Sequence, residues 1–431
     1  MPVNYQEAVA YLDGFDLDVV RRGLERIEAV LDLLDNPQDH APAIHVTGTN
    51  GKTSVSRIAT SLLVAHGLRT GTFTSPHLQA VNERFMVDVE PIRNDAFAEQ
   101  VTELVPYLEL VAERLGEHPS YFEICTALAY SWFAESAVDA QVIEVGFGGR
   151  WDSTNVLRSP VAVLTNVDLD HQKFLGDTVE EIAQQKAGII KQDAMAVTAA
   201  PRASVREIFS ARAVEVHATL WMIERDFWVT DVVRGLGGWQ FTLEGVHATY
   251  EDLFVPLLGR HQATNAATAV VALEAFFGRA LDRTTVLTAL AEATSPGRLE
   301  IVRREPLVLL DAAHNPAGCE VLGRTLDEEF PSYRRLFVIG VLGADKDLGA
   351  MLAPLVRDDT VVWACTPDLR RGVPAQAVAE AARAHGAEAH IAPDVGAALD
   401  EAMGEAGDSD IVVATGSIAG LIGPARELLA R

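Results

Sequence analysis

The strongest constraint on the fold is the segment from Val46 to Thr53, which reads VTGTNGKT between an apolar run and a helical pattern. A strand, a glycine turn and a helix start form an anion site, because backbone N–H groups and the helix N-terminus face one point. Lys52 adds a positive charge that can reach a phosphate. Val46 stands where the eight-residue P-loop has its first glycine, so the motif is the shorter form that begins at Gly48. The segment predicts an ATP site rather than an ordinary glycine turn.

Strand-like and helical patterns alternate along most of the chain. The first 45 residues show amphipathic helical spacing, and short apolar runs follow. The strand-like runs of this first part are 44–46, 71–74, 141–144 and 161–166. Such alternation is typical of a mainly parallel sheet with helices on both faces. We expect the P-loop strand to lie near the centre of that sheet.

The pattern changes between residues 214 and 256, where glycine turns separate short alternating runs. This favours a small antiparallel sheet with strands near 227–229, 238–243 and 247–250, followed by a helix at 263–277. Residues 294–298, Thr-Ser-Pro-Gly-Arg, are typical of a linker. After it the α/β alternation resumes, with strand-like runs at 307–310, 336–340, 361–364, 387–391 and 411–414.

These patterns together predict an α/β protein with two units. Residues 1–294 are expected to form a P-loop parallel-sheet ATPase domain that carries the small antiparallel sheet. Residues 295–299 are expected to form a linker, and residues 300–431 a smaller, Rossmann-like C-terminal α/β domain.

The formal net charge of -26 argues against a nucleic-acid partner, because such binding depends on Lys and Arg that neutralise phosphates. No apolar run approaches the roughly 18 residues that suggest a membrane helix, and no secretion signal is visible at the N-terminus. Cys125, Cys319 and Cys365 lack metal-ligand spacing. These features predict a cytoplasmic protein without nucleic-acid or membrane partners.

Polar side chains at three predicted strand ends suit a divalent metal beside ATP phosphates. Ser75 follows one strand, Glu144 lies in an apolar run before a glycine turn, and His171 follows a third strand. A buried carboxylate is costly, so Glu144 should face a cation; a salt bridge or backbone hydrogen bonds are the alternative. Mg²⁺ prefers oxygen ligands and keeps several waters. We predict a Mg²⁺ site with His171 as a ligand rather than a structural residue.

Lys186 lies in a helical pattern that places it on the same face as the apolar residues Ile182 and Ile189. A lysine on an apolar face usually extends its amine to solvent. Where it cannot, burial lowers the pKa of the amine, and the neutral form becomes available for chemistry. The helical pattern leaves both alternatives open.

The C-terminal part supplies a further set of polar residues. Asp311 and His314 follow a strand; an Asp there suits a ribose hydroxyl, although a helix N-cap is an equal alternative. Arg298 in the linker can move onto a phosphate when the domains close, or it is a solvated charge. The polar loops 343–347 and 415–417 carry weaker signals.

Taken in order, these segments resemble the folylpolyglutamate synthase/dihydrofolate synthase family of the Mur ligase superfamily. The resemblance extends from about Gly23 to Gly420 and rests on the segments GTNGKTS, TSPHL, EVGFGGRWDSTN, QKAGI, HQ, PGRLE, DAAHNP and ATGS. It implies an ATP-dependent amide ligase in which a substrate carboxylate forms an acyl phosphate and the amine of L-glutamate displaces phosphate. The implied partners are dihydropteroate or a reduced folate and L-glutamate, and we expect a monomer.

The resemblance also implies roles for individual residues. Those expected to hold ATP are Thr49, Asn50, Gly51, Lys52, Thr53, Ser54, Asn265, Arg298, Asp311 and His314. Those expected to hold metal, as two Mg²⁺ ions, are Ser54, Ser75, Glu144 and His171. The expected substrate residues are Gly23, Leu24, Phe122, Trp151, Asp152 and Ser417. Catalytic roles fall to Lys52, Lys186, His171, Arg298 and His314, and the family's carbamylation of the lysine at position 186 would turn a cation into a metal-binding anion.

Several positions depart from the commoner pattern of the family. Thr53 stands where many members have glycine, Ser295 where an aromatic residue is common, and Gln185 where glutamate is common. Ala419 and Gly420 replace a bulkier pair, which can alter a wall of the glutamate site.

Two other functions compete with this one. A Mur-type ligase acting on a peptidoglycan precursor or another carboxylate usually carries a further N-terminal domain, and the segment before Gly48 is too short for one. A P-loop protein that switches or scaffolds would not need Ser75, Glu144, His171 and Lys186 together. The sequence leaves open whether dihydropteroate, a reduced folate or both are accepted.

Overall fold

The computed structural model describes residues 4–15, 22–343 and 346–430. Its α-helices, numbered in chain order, are α1 (Tyr5–Asp13), α2 (Glu25–Leu33), α3 (Lys52–Ala65), α4 (Asn94–Leu115), α5 (Tyr121–Glu135), α6 (Gln172–Leu175), α7 (Val179–Ala187), α8 (Ala203–Glu215), α9 (His261–Phe277), α10 (Arg283–Ala291), α11 (Pro316–Glu329), α12 (Leu348–Leu352), α13 (Ala375–Ala384), α14 (Val395–Glu405) and α15 (Gly423–Leu429). Its strands are β1 (Ala43–Thr47), β2 (Thr70–Phe73), β3 (Phe85–Val87), β4 (Glu90–Pro91), β5 (Ala140–Glu144), β6 (Val161–Leu164), β7 (Met195–Thr198), β8 (Thr219–Met222), β9 (Trp228–Gly235), β10 (Gly238–Glu244), β11 (Thr249–Val255), β12 (Glu300–Arg304), β13 (Leu307–Asp311), β14 (Arg334–Ile339), β15 (Val361–Ala364), β16 (Glu388–Ile391) and β17 (Asp410–Thr415). Short 3-10 helices occur at Pro37–Asp39, Val81–Arg84 and Ser153–Val156, and a π-helical turn at Ile418–Ile422 precedes α15.

The P-loop strand β1 lies inside the largest sheet, whose described strands are ordered β4-β3-β2-β5-β1-β6-β7-β8. It pairs in parallel with β5 on one side and β6 on the other. Every residue of these three strands is buried, as expected for strands with helices on both faces. The predicted central place of the P-loop strand is confirmed, and the carboxyl ends of all three strands meet at one edge.

Helices cover both faces of this sheet. Val142 of β5 packs with Val55 of α3 in one apolar cluster, whereas its neighbour Ile143 packs with Leu128 of α5 in another. Successive side chains of a strand point to opposite faces, so adjacent residues serve different cores. The α3 helix that follows the P-loop is therefore fixed against the sheet along its length.

The small antiparallel sheet consists of β9, β10 and β11. Trp239, Phe241 and Leu243 are buried at alternate positions of β10 and join the same core as α3 and α9. This period of two is typical of a sheet with one covered face. The predicted sheet is confirmed, with strands longer than the sequence runs indicated.

The C-terminal sheet has its described strands in the order β12-β13-β17-β14-β15-β16. All strand-like runs predicted after the linker are present and pair in parallel, with apolar clusters on both faces of the sheet. The antiparallel strand β12 was not predicted, because its sequence, EIVRR, holds only two apolar residues among charged ones. We propose residues 295–299 as the linker, since α10 ends at Ala291 and β12 begins at Glu300.

Other strands of the main sheet were also missed. β3 and β4 form an antiparallel edge with three and two residues, which is too short for a period to show. β7 and β8 have four residues each, and apolar runs of that length cannot be told from helix. Within the described ranges, no helix is both long and apolar enough to span a membrane.

Candidate functional site

A cavity of about 470 Å³ lies at the carboxyl edge of the main sheet and reaches the C-terminal sheet. Ligands of α/β proteins bind in such a crevice, outside the carboxyl ends of the strands. The predicted site residues that line it are Thr49, Asn50, Gly51, Lys52, Thr53, Ser54, Ser75, Glu144, His171, Lys186, Asn265, Arg298, Asp311 and His314. The structure thus brings the expected ATP, metal and catalytic residues together around one space.

The P-loop needs glycine at two positions because the surrounding atoms leave no room there for a side chain. A Cβ atom on Gly48 would lie 1.8 Å from the hydroxyl oxygen of Thr165, and one on Gly51 would lie 2.9 Å from Oδ1 of Asn265. Gly51 also has a φ of 84°, in the left-handed region that glycine adopts freely. The loop is therefore held between the end of β6 and the start of α9, with the N-terminus of α3 at the cavity.

Two backbone N–H groups of the P-loop are already engaged. Thr49 donates to the carbonyl oxygen of Asn166 (2.9 Å), and Asn50 donates to the side-chain oxygen of the same residue (2.8 Å). The anion site therefore consists of the first N–H groups of α3, which have no acceptor within the helix. Lys52 Nζ donates to the carbonyls of Gly48 (3.0 Å) and Thr49 (3.2 Å), and burial lowers the pKa of its amine. A bound phosphate is a stronger partner for this cation than those carbonyls.

Glu144, at the end of β5, is 1% exposed. One carboxylate oxygen accepts from the hydroxyl of Thr53 (3.0 Å), and the other has no hydrogen-bond partner among the described residues. Burial raises the pKa of Glu144, while Lys52 and the Thr53 hydroxyl act against that rise. An unpartnered oxygen on a buried carboxylate is costly. It fits a site built to receive a cation.

The other expected metal residues lie around Glu144 without forming a complete ligand set. Ser75 lines the cavity, and its backbone N–H acts with the Thr53 hydroxyl against the rise in the pKa of Glu144. His171 precedes α6, with its ring edge-on to Phe147 at 4.9 Å between centroids. Within the part of the chain that the structure describes, no group of three or more His, Cys, Asp or Glu side chains is arranged to hold a metal ion by itself. A Mg²⁺ ion held here would complete its octahedron with water and phosphate oxygens.

Ser54 is placed differently from the other predicted metal ligands. It is 2% exposed, and its hydroxyl forms a 2.9 Å hydrogen bond with the hydroxyl of Ser295. Ser295 is the residue that replaces an aromatic side chain common in the family. The small side chain allows the start of α3 and the linker to meet through paired hydroxyls.

Lys186 of α7 is buried, with 4% exposure, and its Nζ donates to the carbonyl of Gly48 at 2.8 Å. Burial, followed by the charge of Lys52, lowers the pKa of its amine to about 7. The side chain does not extend to solvent, so the buried alternative drawn from the helical pattern is the right one. A substantial neutral fraction at physiological pH makes this amine a nucleophile in the cavity wall.

The densest group of charges joins the two α/β units at Asp170, which lies between β6 and α6. Lys346 Nζ lies 2.6 Å from Oδ1, while Asn315 Nδ2 (2.9 Å) and His314 Nε2 (3.4 Å) face Oδ2. Burial opposes ionisation, yet His314, His171 and Lys346 hold the pKa of Asp170 far below its usual range. Asp170 is therefore an ionised anchor for three side chains of the C-terminal domain.

Sequence reasoning missed Asp170, Asn315, Asn166 and Lys346 as site residues. Asp170 is next to the predicted His171, Asn315 is next to the predicted His314, and Asn166 begins the segment NVDLDH that contains His171. Their proximity in sequence to predicted residues was the available signal. Lys346 belongs to the loop 343–347, of which Ala344 and Asp345 lie outside the described residues.

Asp311 ends β13 and organises the turn that follows it. Its two carboxylate oxygens accept from the backbone N–H groups of Leu299 and Ala313, each at 2.9 Å. The N-cap of α11 is Asn315, which accepts from Gly318 N–H at 2.8 Å, so the N-cap alternative for Asp311 is wrong. Asp311 instead ties the linker to the C-terminal sheet at the cavity wall.

Arg298 belongs to the cavity and is not a solvated linker charge. It lines the cavity, and burial lowers the pKa of its guanidinium, opposed by the charges of Asp311 and Glu144. Because arginine stays protonated under ordinary conditions, it supplies a fixed positive charge facing the P-loop side.

The residues expected to contact substrate lie outside the cavity lining: Gly23, Leu24, Phe122, Trp151, Asp152 and Ser417. Phe122 packs against Gly146, where a Cβ atom would lie 2.4 Å from the ring, and Trp151 is 47% exposed. Gly23 and Leu24 precede α2, whose Arg26 pairs with Glu123 of α5 at 3.1 Å. Ser417 caps the π-helical turn by accepting from Gly420 N–H at 3.1 Å. Their roles toward substrate stay predictions.

Comparison with known proteins agrees with this geometry. The Mur ligase middle domain matches residues 46–273, and the Mur ligase glutamate ligase domain matches residues 297–418. The dihydrofolate synthase/folylpolyglutamate synthase of Mycobacterium tuberculosis is 42% identical over 358 residues, covering 79% of this chain and 73% of that protein. The protein of the same name from Escherichia coli is 33% identical over 414 residues, covering 95% and 92%.

Solved structures show the same likeness. Mycobacterium tuberculosis folylpolyglutamate synthase, complexed with ADP and AMPPCP, superposes with a TM-score of 0.92 at 38% identity, covering 99% of this chain and 98% of that one. A folylpolyglutamate synthase complexed with AMPPCP and folate gives 0.86 at 33% identity, covering 99% and 100%. By sequence, fold and site together, this chain belongs to the Mur ligase family, in its folylpolyglutamate synthase/dihydrofolate synthase branch.

Proposed function

We propose that this chain is an ATP-dependent ligase that joins L-glutamate to dihydropteroate, to reduced folates, or to both. The observation that carries the proposal is the convergence of the P-loop, Glu144, Lys186 and Arg298 on one cavity between two α/β units. The relatives' names and the folate complex of a structural neighbour support the choice of substrates.

The proposed reaction is the one that the family resemblance implies. A substrate carboxylate oxygen attacks the γ-phosphorus of ATP, the bond to the β–γ bridging oxygen breaks, and ADP leaves. The amine of L-glutamate then attacks the acyl carbon, releasing phosphate and one proton as the amide forms. Lys52, the N-terminus of α3 and Arg298 surround this path with positive charge, and such charge neutralisation supplies most of the catalysis in phosphoryl transfer.

The donors around Glu144 fit Mg²⁺, and we propose two ions as in the family. The unpartnered Glu144 oxygen, the hydroxyls of Thr53 and Ser75, and the imidazole of His171 supply mainly the oxygen donors that this ion prefers. When bound, Mg²⁺ neutralises phosphate charge and orients the phosphates. Ser54 remains a proposed ligand that would have to leave the Ser295 hydroxyl.

We also propose that Lys186 is carbamylated. The neutral amine attacks CO₂ and loses a proton, which yields a carbamate anion. Its burial beside Lys52 favours this reaction, since an anion there would be attracted to the cation that now lowers the pKa of the amine.

The remaining proposals concern the state of the protein. We propose a monomer in the cytoplasm that acts on small molecules. The net charge of -26 supports the absence of a nucleic-acid partner, since such partners are polyanions.

Phosphate release tests the function. The protein is incubated with ATP, Mg²⁺ and L-glutamate, with dihydropteroate, tetrahydrofolate or no acceptor. Release with dihydropteroate alone indicates a dihydrofolate synthase, with tetrahydrofolate alone a folylpolyglutamate synthase, and with both a bifunctional enzyme. Release with neither, from protein that binds ATP, would overturn the folate assignment in favour of a Mur-type ligase for another carboxylate.

A further inference from the structure

A buried chain of hydrogen bonds connects β1 to the segment that follows β5. His45 Nε2 lies 2.9 Å from the hydroxyl oxygen of Thr154, which in turn lies 2.5 Å from Oδ1 of Asp152. His45 and Thr154 are 0% exposed, and Asp152 is 6% exposed. His45 does not line the ATP-site cavity and has no role in the mechanism above, so the presence of a polar ring inside this strand needs another explanation.

The contacts of Asp152 determine which groups donate and which accept in this series of hydrogen bonds. Oδ1 also accepts from the backbone N–H of Thr154 (3.0 Å), and Oδ2 accepts from the N–H of Phe147 (2.8 Å). Because each carboxylate oxygen accepts from a backbone N–H, Asp152 is best described as an ionised acceptor. The Thr154 hydroxyl therefore donates its proton to Asp152. The Thr154 oxygen then has only lone pairs left, and His45 Nε2 must be the donor.

The tautomer of His45 follows from that direction. The proton lies on Nε2, and Nδ1 has no hydrogen-bond partner within the described ranges. Burial, with a contribution from the charge of Lys191, lowers the pKa of His45 to about 3, so the ring is neutral at any assay pH. The opposite tautomer would accept the Thr154 proton and take that donor away from Asp152.

We propose that His45 is a positioning residue for the pterin-bearing substrate: it fixes the Thr154 hydroxyl toward Asp152 and so keeps that carboxylate an oriented, ionised acceptor. The proposed ligand chemistry is a flat heterocycle with adjacent N–H donors, such as the 2-amino-4-oxopyrimidine part of a pterin. Asp152 also holds the backbone of Phe147, whose ring packs edge-on against Phe174 at 5.7 Å. This inference rests on the proposed function and on the role toward substrate that the family resemblance predicts for Asp152.

The test compares variants that break the series of hydrogen bonds with variants that preserve it. Thr154→Val and His45→Phe remove a donor, whereas Thr154→Ser and His45→Gln keep one. Tyr130→Phe is the matched control, because the Tyr130 hydroxyl donates to the backbone carbonyl of Thr154 (3.1 Å) and leaves its hydroxyl alone. Circular dichroism and Tm establish that each variant is folded before kinetics are measured.

We expect Thr154→Val and His45→Phe to raise the KM for dihydropteroate about tenfold, the usual effect of one lost hydrogen bond to a charged group, with the KM for ATP unchanged. The pH profile gives a second readout. Burial raises the pKa of Asp152 to about 6, and the Thr154 hydroxyl lowers it. Without that hydroxyl the pKa rises further, so the loss of dihydropteroate affinity on acidification starts at higher pH.

Nitrogen NMR of ¹⁵N-histidine-labelled wild-type protein, with His45→Gln for assignment, reads the tautomer independently of activity. A proton on Nδ1 overturns the inference, as does an unchanged KM and pH profile in Thr154→Val, or an equal effect of Tyr130→Phe. If the wild-type protein turns over and the KM and pH profile of Thr154→Val are unchanged, this inference is wrong but the proposed function stands. Absence of wild-type turnover with dihydropteroate and tetrahydrofolate removes the proposed function and this inference with it.

Discussion

Lys346 Nζ lies 2.6 Å from Oδ1 of Asp170, in an ion pair between residues 176 positions apart in the chain. Asp170 follows β6 of the main sheet, and Lys346 follows β14 of the C-terminal sheet. Their side chains are only 7% and 12% exposed. The pair therefore joins the two units beside the cavity, in addition to the hydrogen bonds that Trp239 and the backbone N–H of Gly259 donate to Glu329 farther away.

Asp170→Asn should weaken the contact between the two units at the cavity. The variant keeps an acceptor for Asn315 but leaves the buried Lys346 without an anion, which typically costs a factor of about 30 or more in the interaction concerned. We expect kcat/KM for L-glutamate to fall by about that factor. The control is Asp168→Asn, which loses a 3.3 Å contact to the half-exposed Arg202, worth about 0–1 kcal/mol. Equal activity of the two variants would contradict the anchoring role.

Glu144→Gln should stabilise the protein while it impairs catalysis. The charged carboxylate has an unpartnered buried oxygen and a raised pKa, so a neutral amide should raise the free energy of unfolding by about 1 kcal/mol. Loss of the charge should lower kcat at least about 100-fold and weaken Mg²⁺ dependence. Denaturant unfolding and a Mg²⁺ titration of turnover measure both effects.

Glu274→Gln is the matched control for that experiment. Glu274 is also buried and burial also raises its pKa, but both of its oxygens accept hydrogen bonds, from Val246 N–H (2.9 Å) and from the hydroxyl of Tyr250 (3.0 Å), which the amide would lose in part. We expect this variant to lose stability and to keep its Mg²⁺ dependence. The same direction of change in both variants would mean that Glu144 is a structural carboxylate.

The elements that could be predicted from sequence are those whose cause is local. β1 is a short, mostly apolar run interrupted by His45, and the P-loop follows from glycine and lysine at fixed spacing, so both are visible without the fold. The strand β12 lacks such a run. Its extended conformation is stabilised by antiparallel pairing with β13, which its composition does not reveal. β3 and β4, with three and two residues, are too short for a period to show, and the four-residue strands β7 and β8 were missed although β2, β6, β15 and β16, of the same length, were predicted.

The candidate site was predictable where each residue follows a strand, because the ends of parallel strands meet. Glu144 ends β5 and Ser75 follows β2, and both line the cavity for that reason. The hydrogen bond between Ser54 and Ser295, 241 positions apart, depends on how the linker packs, and no local pattern encodes it. Asn315 and Lys346, which contact Asp170, were missed for a similar reason. The sequence of a polar loop does not show whether the loop faces solvent or another domain.

Gly48→Ala should damage the ATP site through a steric clash. The new Cβ would lie 1.8 Å from the hydroxyl oxygen of Thr165, so that hydroxyl must give up its 2.6 Å hydrogen bond to the Asn50 carbonyl or the loop must shift, at a cost of about 1–3 kcal/mol in stability. We expect ATP affinity, measured by calorimetry, to fall at least about tenfold, since the loop positions the N-terminus of α3. Gly67→Ala is the control: Gly67 has a φ of 83° with no atom within 4 Å of the added Cβ, so it carries backbone strain alone. Equal ATP affinity of the two variants would contradict a role for close packing at Gly48.

The buried amine of Lys186 gives a pH dependence of defined sign. Its pKa is about 7, so the amine is mostly protonated at pH 6 and mostly neutral at pH 8. Only the neutral amine attacks CO₂, and the carbamate signal in ¹³C NMR with labelled bicarbonate should therefore grow as the pH rises through 7. Lys191, whose Nζ donates to the carbonyl of Asn155 at 2.7 Å and whose pKa is about 8, lies outside the cavity lining and serves as control. The signal should vanish in Lys186→Ala, with a loss of turnover and Mg²⁺ affinity, and persist in Lys191→Ala. Unchanged turnover and metal affinity in Lys186→Ala would show that the amine, although reactive, has no part in catalysis.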